Sequence, residues 1–140
     1  MKEVKYMKLT VKQAAEKLNM SEHTIRFYTN KGLVPAVERD QNNHRLFNQE
    51  ALNWLEGDNY LRKTGMSLTE VKHYVDLCIT GEKTIPERYQ IIKAQMAKTQ
   101  QQLADIQKQI AFLKHKEEIY QTALTNTAKD YLNPKTWNRE

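Results

Sequence analysis

Apolar residues recur at helical spacing in two short stretches near the start of the chain. The first stretch follows Thr10 and Gln13, which are spaced as a capping box, and the second follows Ser21, a favourable N-cap residue. Gly32 is predicted to end the second helix, because glycine readily adopts the left-handed conformation that follows many helix C-termini. Two short helices joined by a tight turn form a helix-turn-helix.

The pattern changes after Gly32 from helical spacing to extended segments. Pro35 disfavours helix at the residue before it, so residues 33–35 are predicted to be extended. Residues 36–39 and 44–47 then predict two strands that flank a polar turn, with Asn42 and Asn43 near its tip. A hairpin that follows a helix-turn-helix is a wing.

Two further helices are predicted between residues 48 and 81. Asn48 is the N-cap of the first of them, which carries apolar or aromatic residues at four positions: Leu52, Leu55, Tyr60 and Leu61. Ser67 and Glu70 form another capping-box pair. The helix that they open has one apolar side, made of Leu68, Val71, Val75 and Cys78, and it is predicted to stop at Gly81.

The most regular pattern lies in the last third of the chain, where Pro86 suits the first turn of a long helix. From Tyr89 to Leu124 the seam residues alternate at spacings of three and four, with Thr99 and Glu117 as the polar exceptions. This stretch would be about 50 Å long as an α-helix. The positions predicted for dimerisation are Ile92, Met96, Leu103, Ile106, Ile110, Leu113, Tyr120 and Leu124.

A narrow apolar seam on so long a helix needs a partner. An intramolecular helical hairpin is one interpretation, but no second helix of comparable length is predicted in this chain. A second copy of the chain is therefore the expected partner, and the heptads alone leave parallel and antiparallel arrangements open. The hydrophobic fraction of 39% and the mean hydropathy of −0.81 fit a small core joined to a long, solvated helix.

The charge is distributed unevenly over the 140 residues, which carry a formal net charge of +5 and have a pI near 9.2. Residues 1–47 hold nine Lys and Arg against five Asp and Glu, a net of +4. A polyanion would therefore bind most readily to the N-terminal third. An ordinary basic, solvated surface is the alternative that charge alone leaves open.

Several classes of protein are disfavoured by what the sequence lacks. Cys78 is the single cysteine, so no intrachain disulfide framework is expected, and no apolar run reaches membrane-spanning length. The first nine residues lack the apolar segment of a signal peptide, which favours a soluble, cytoplasmic protein without a membrane partner. The histidines lack metal-ligand spacing, and no glycine-rich phosphate loop or nucleophile elbow is present. We therefore expect neither an enzyme nor a bound metal or cofactor.

Four motifs in a fixed order carry a resemblance to a known family. They are Thr24-Ile25-Arg26-Phe27-Tyr28, Lys31-Gly32-Leu33-Val34-Pro35, Arg45-Leu46-Phe47, and the run from Leu61 to Leu68. From about Leu9 to Leu77 the chain resembles the MerR-type transcription regulators, and it is most similar to their small aldehyde- or thiol-stress-responsive subgroup. The resemblance implies a mainly α fold, with an N-terminal winged helix-turn-helix, a second helical pair and a long C-terminal dimerisation helix in an antiparallel coiled coil. The expected domains are a DNA-binding domain over 1–80, a coiled-coil helix over 85–126 and a tail over 127–140.

The resemblance and the chemistry of base recognition together predict a DNA-binding surface. A recognition helix presents its N-terminal residues to base edges, while basic groups around it hold phosphates. Arg26 is the leading candidate, because its planar guanidinium can grip a guanine edge or a phosphate. A surface salt bridge for Arg26 and core packing for Tyr28 are the alternatives. The full predicted set is Ser21, His23, Thr24, Arg26, Tyr28, Asn43, His44, Arg45, Arg62 and Lys63.

Three positions depart from the family pattern. Asn43 and His44 stand where the family has glycine and tyrosine; Asn43 can adopt a left-handed turn, and His44 can replace a tyrosine–phosphate contact, more strongly at lower pH. Tyr60 stands where the subgroup has its sensing cysteine, so sensing by a thiol is not expected there. Cys78 is predicted to be a buried, small hydrophobe, with a redox or electrophile sensor as the alternative.

The resemblance also implies how such a protein acts. It would bind a pseudo-palindromic promoter site in double-stranded DNA as a homodimer and affect RNA polymerase indirectly by distorting the DNA. A repressor that occludes the promoter, or a coiled-coil interaction protein with only non-specific DNA affinity, are the alternatives. The sequence identifies no effector. The aromatic tail residues Tyr131 and Trp137 are expected to pack on the coil or on the partner subunit, or else to form an aromatic effector pocket.

Overall fold

Helices make up most of the protein, as the sequence predicts. The computed structural model describes residues 7–126, Asp130 and residues 132–136. Short 3₁₀ turns occupy Glu82–Thr84 and Pro134–Thr136. The helices and strands, in chain order, are α1 (Val11–Leu18), α2 (Glu22–Asn30), β1 (Glu38–Arg39), β2 (Arg45–Leu46), α3 (Gln49–Lys63), α4 (Leu68–Thr80) and α5 (Ile85–Asn126).

Each of the first four helices begins at the cap residue that the sequence predicts. Before α1, the Thr10 hydroxyl accepts the Gln13 N–H at 3.2 Å, and the Gln13 side chain accepts the Thr10 N–H at 3.0 Å. Ser21, Asn48 and Ser67 each accept a backbone N–H three residues later. The predicted end of α2 is confirmed by Gly32, whose φ of 75° places it in the left-handed region.

The wing is shorter than predicted, and its register differs from the predicted one. The strands have two residues each, and they pair antiparallel with Arg39 opposite Arg45 and Glu38 opposite Leu46. His44 was expected in the second strand, but it belongs to the turn, because both its N–H and that of Asn42 bond to the Asp40 carboxylate. The predicted left-handed conformation of Asn43 is confirmed by its φ of 64°.

Two other features around the wing were not predicted correctly. The expected extended run over residues 33–35 gives way to a turn at Pro35 and Ala36, where Ala36 has a φ of 64°. Leu9 and Phe47 exchange two backbone hydrogen bonds of 2.8 Å, so the segment before α1 pairs with the end of the wing. This pairing holds the wing against the helical core.

The core is formed by apolar residues of α1–α4 and the segments between them. It consists of Leu9, Ala14, Ala15, Ile25, Tyr28, Leu33, Val34, Phe47, Ala51, Leu52, Leu55, Met66, Val71 and Val75. One assignment on α3 was wrong, and one buried residue was not predicted. Tyr60, expected on the apolar side, is 61% exposed, while Asp58 is buried, with 1% of its surface exposed. A residue three positions after Leu55 stays on the inward side of an α-helix, whereas one five positions after it turns outward.

The chain divides into two compact units, of which the first ends at Met96 and the second begins at Ala97. The second unit contains the rest of α5, and most of the predicted tail, including Tyr131 and Trp137, lies outside the described residues. Along the described parts of the chain, no helix combines the length and apolar character needed to cross a membrane.

Candidate nucleic-acid interface

A cleft of about 300 Å³ lies between α2 and the wing, next to the start of α1. Capping hydroxyls fix the starts of α1 and α2, and the wing is fixed by its own turn and by the pairing of Phe47 with the distant Leu9. The cleft is lined by Thr10, Val11, Lys12, Glu22, Arg26, Asp40, Asn43, His44 and Arg45. Four of the ten predicted DNA-binding residues are therefore brought together here.

Positive charge is concentrated beside this cleft. Arg45 faces Arg39 directly across the wing. Partial burial, together with the charges of Arg39 and Arg26, lowers the pKa of Arg45. Like charges placed directly opposite on a sheet destabilise it. An anion bound between these guanidinium groups would relieve the repulsion, and guanidinium groups bind phosphate particularly well.

Arg26, Arg39 and Arg45 are called the arginine cluster below. Hydrogen bonds hold two of its members, Arg39 and Arg45, in place. Arg45 Nη2 donates to Asn30 Oδ1 at 2.5 Å, which connects the wing to the last residue of α2. Arg39 Nη1 donates to the Asn43 carbonyl oxygen at 2.8 Å, which braces the tip of the wing. The charged side chain of Arg45 thus itself connects the wing to α2.

Arg26 lies on α2 with half of its side chain exposed. Its Nη2 is 3.3 Å from Glu22 Oε1, one helical turn earlier, so the surface salt bridge considered as an alternative is present. Exposed pairs of this spacing stabilise a helix by only about 0.2–0.5 kcal/mol. A phosphate or a guanine edge can therefore compete for Arg26, which also lines the cleft.

The other predicted residues of α2 have different surroundings. The Ser21 hydroxyl accepts the Thr24 N–H at 3.0 Å and donates to Thr24 Oγ1 at 2.7 Å, so it is engaged in capping. His23 is exposed and stacks on Phe27 with 6.4 Å between ring centroids. Tyr28 is only 6% exposed and belongs to the core cluster, which agrees with core packing, the alternative considered for this residue.

The tip of the wing is organised by the carboxylate of Asp40. Asp40 Oδ1 accepts the N–H groups of His44 and Asn42 at 2.9 Å each. These hydrogen bonds, first of all the one from His44, lower the pKa of Asp40. The imidazole Nδ1 of His44 lies 3.5 Å from Asp40 Oδ2, and 73% of the His44 side chain is exposed. His44 is accordingly displayed at the edge of the cleft.

Arg62 and Lys63 do not line the cleft, although they were predicted to share its function. Both lie at the end of α3, where Arg62 Nη1 donates to the Met66 carbonyl oxygen at 2.8 Å. The Lys63 ammonium lies 5.5 Å from the centroid of the Tyr60 ring. Both residues are exposed, so their assignment to DNA remains a prediction.

The sequence reasoning missed two basic residues of this surface. Lys12 lines the cleft from the first turn of α1, and Arg39 completes the arginine cluster. The predicted turn has four residues, 40–43. A turn of five residues, 40–44, places Arg39 opposite Arg45 and would have indicated the cluster. No comparable sequence signal marks Lys12, since its position follows from how α1 lies against the wing.

Cys78 is half-buried rather than fully buried as predicted. Arg88 Nη1 lies 3.9 Å from its sulfur. Burial, together with the neighbouring Cys78, raises the pKa of Tyr74. Among the residues that the structure describes, no group of three or more His, Cys, Asp or Glu side chains is arranged to hold a metal ion.

The fold and the basic cleft define a winged helix-turn-helix DNA-binding protein. Residues 9–78 match the model of the MerR HTH family regulatory proteins, and the chain belongs to that family. It is 37% identical over 117 residues to an HTH-type transcriptional regulator of Haemophilus influenzae, covering 84% of this chain and 87% of the relative.

Solved structures agree with this assignment. The crystal structure of HiNmlR, a MerR family regulator that lacks the sensor domain and is bound to promoter DNA, superposes with a TM-score of 0.84 at 35% identity, over 91% of this chain and 96% of HiNmlR. A MerR family regulator from Listeria monocytogenes gives a TM-score of 0.76 at 31% identity, over 83% of this chain and 88% of that one. These relatives regulate transcription and are not enzymes, and this chain is a transcriptional regulator that binds DNA.

Proposed function

We propose that the protein acts as a homodimer on a pseudo-palindromic promoter site, using residues 1–80 to bind DNA and residues 85–126 to dimerise. The observation that carries the proposal is the arginine cluster of Arg26, Arg39 and Arg45 between α2 and the wing. A helix that enters the major groove and a wing that follows the backbone would place these groups at phosphates on both sides of the groove. The promoter DNA bound to HiNmlR supports the same kind of target.

Dimerisation is supported by the apolar seam of α5. Its predicted members are exposed, from 37% at Ile92 to 85% at Leu124. Burial of an exposed Leu or Ile side chain stabilises an association by about 1.5–3 kcal/mol. The heptad spacing fits a second helix of the same kind, so a second copy is the partner that we propose. The antiparallel arrangement rests on the family resemblance.

The seam is tested by sedimentation of the full chain at micromolar concentration. The double substitution Ile106→Glu with Ile110→Glu should convert a dimer to a monomer, because it places repelling, desolvated charges inside the seam. Lys108→Glu makes the same change in net charge on the outer side of the helix, and it should leave the dimer intact. A wild-type monomer, or a double variant that remains dimeric, would exclude this seam as the interface.

DNA distortion is the mechanism that we propose for control of RNA polymerase. Bending changes the effective spacing of promoter elements without requiring a contact to the polymerase itself. Circular-permutation gel shifts and transcription in vitro separate this mechanism from simple occlusion. Distortion predicts a bend at the bound site and transcription that increases in at least one ligand state. An unbent site, with transcription reduced in proportion to occupancy, would establish an occluding repressor instead.

A further inference from the structure

A second cavity, of about 450 Å³, also lies in the first unit, and it shares no lining residue with the cleft beside the wing. It is lined by α3 residues Asn53, Trp54, Gly57, Asp58, Tyr60 and Leu61 and by Tyr74 of α4. The volume falls in the range of small-molecule sites, and its walls are mostly aromatic or aliphatic. The DNA-binding residues assigned above do not account for it.

One polar group in this cavity lacks a partner among the described residues. Asp58 is 1% exposed, and its Oδ2 accepts no hydrogen bond from that part of the chain. Burial raises the pKa of Asp58 to about 7. A buried carboxylate without hydrogen-bond donors is unfavourable, and native proteins satisfy nearly all such groups. Asp58 is one of the residues that line the cavity, so a donor that enters the cavity is the partner that its carboxylate lacks.

Gly57 gives a second, independent indication. It lies in the interior of α3, where glycine weakens a helix relative to alanine. A Cβ on Gly57 would meet no neighbouring atom within 4 Å, so close packing does not require glycine there. Gly57 lines the cavity, where it leaves this part of the helix surface without a side chain.

We propose that this cavity binds a small organic cation, in which an ammonium or similar group donates to Asp58 and an apolar body lies between Trp54 and Tyr74. The aromatic lining suits this class of ligand, because aromatic ring faces attract cations in addition to burying apolar surface. A carboxylate ligand would place like charges together, and a neutral apolar ligand would leave Asp58 unsatisfied.

Direct binding to the full chain tests the proposal without any DNA. Trp137→Phe leaves Trp54 as the single tryptophan, so its fluorescence reports on the cavity. The probes are benzylamine and its neutral analogue benzyl alcohol, titrated at about pH 8, where the amine is protonated and the Asp58 carboxyl is mostly ionised. We expect saturable binding of benzylamine that is at least tenfold tighter than binding of benzyl alcohol.

Two variants distinguish the contribution of the Asp58 charge from that of the free volume of the cavity. Asp58→Asn keeps the shape of the side chain and should weaken benzylamine at least tenfold while leaving benzyl alcohol unchanged. Gly57→Leu should fill the cavity and abolish binding of both, with circular dichroism confirming that the variant keeps the helix content of wild type. Equal affinities for the two probes, or no binding to folded wild-type protein, would overturn the proposal. So would a change in self-association by Gly57→Leu without ligand, which would make the cavity part of an interface between copies.

Discussion

Two of the cavities in the first unit of the chain differ in where their charged groups lie, at the surface in one and buried in the other. Beside the wing, the charges of Arg26 and Arg39 act on Arg45, and solvent moderates the repulsion because Arg26 and Arg39 are exposed. In the cavity lined by α3, a single carboxylate is buried, and burial raises its pKa to about 7. Clustered surface charge indicates a polyanion such as DNA, whereas one buried charge indicates a small ligand with a matching group.

The largest expected effect comes from the arginine cluster. The double substitution Arg26→Ala with Arg45→Ala should weaken DNA binding about 100-fold or more, because each lost contact of this kind costs roughly 1–3 kcal/mol and a dimer loses each contact twice. Fluorescence anisotropy at several salt concentrations measures both the affinity and its salt slope. The slope should decrease as phosphate contacts are lost.

Lys108→Glu is the matched control for that experiment, since it makes the same change in net charge on the outer side of α5. Its affinity should stay within about twofold of wild type, because an exposed charge that does not contact the DNA is largely screened by salt. If both proteins lose affinity equally, general positive charge rather than the cluster binds the DNA.

The second expected effect concerns the stability of the fold. Here the substitution, Asp58→Asn, should stabilise the protein relative to wild type as the pH rises, whereas the arginine substitutions weaken binding. Asp58 has a pKa of about 7 in the folded protein, against an ordinary value of 3.8. Between these values the folded state holds a proton that the unfolded chain has released, so stability falls as the pH rises through this window. Asp58→Asn removes that dependence. Its free energy of unfolding relative to wild type should increase by roughly 1–3 kcal/mol between about pH 5 and pH 8.

Urea denaturation at the two pH values measures this difference. Asp105→Asn, at an exposed carboxylate on α5, is the matched control and should shift far less between the two values. An Asp58→Asn difference that does not change with pH would contradict a buried, ionisable Asp58.

The smallest expected effect tests the connection between the wing and α2. Asn30→Ala removes the acceptor for Arg45 Nη2 while leaving every charge in place. DNA affinity should decrease about fivefold, which corresponds to roughly 0.5 kcal/mol for this positioning hydrogen bond in each subunit of the dimer. Thr29→Ala is the control, since the Thr29 hydroxyl donates only within α2, to the Arg26 carbonyl oxygen. Equal losses in both variants would indicate general weakening of α2 rather than loss of positioning.

The two cavities also differ in how much of each could be predicted from the sequence. Caps, helix ends and the left-handed Asn43 are determined by neighbouring residues, and they were predicted correctly. Arg26 and Arg45 were identified by motif, but Arg39 was missed because the Asp40 hydrogen bonds lengthen the turn. The pairing of Leu9 with Phe47 joins distant segments, which local patterns do not encode.

The cavity lined by α3 was missed because the helix was assigned by its apolar residues alone. Tyr60 was predicted to lie on the inward side of α3, and Asp58 was not considered. In the structure Tyr60 is exposed and Asp58 is buried. The signal was nevertheless present, since Asp58 follows Leu55 by three positions and so lies on the same side of the helix. A polar residue at an inward helical position therefore identifies a site to search.

The central claim, sequence-specific DNA binding through the arginine cluster, is tested most directly by one selection experiment. Genomic fragments from the organism that encodes the protein are selected on the purified chain at near-physiological salt and then sequenced, in parallel with the Arg26→Ala/Arg45→Ala variant. The account predicts that wild type enriches an inverted repeat within a promoter and that the variant does not. Weak binding without sequence preference, or the same repeat enriched by both proteins, would contradict it.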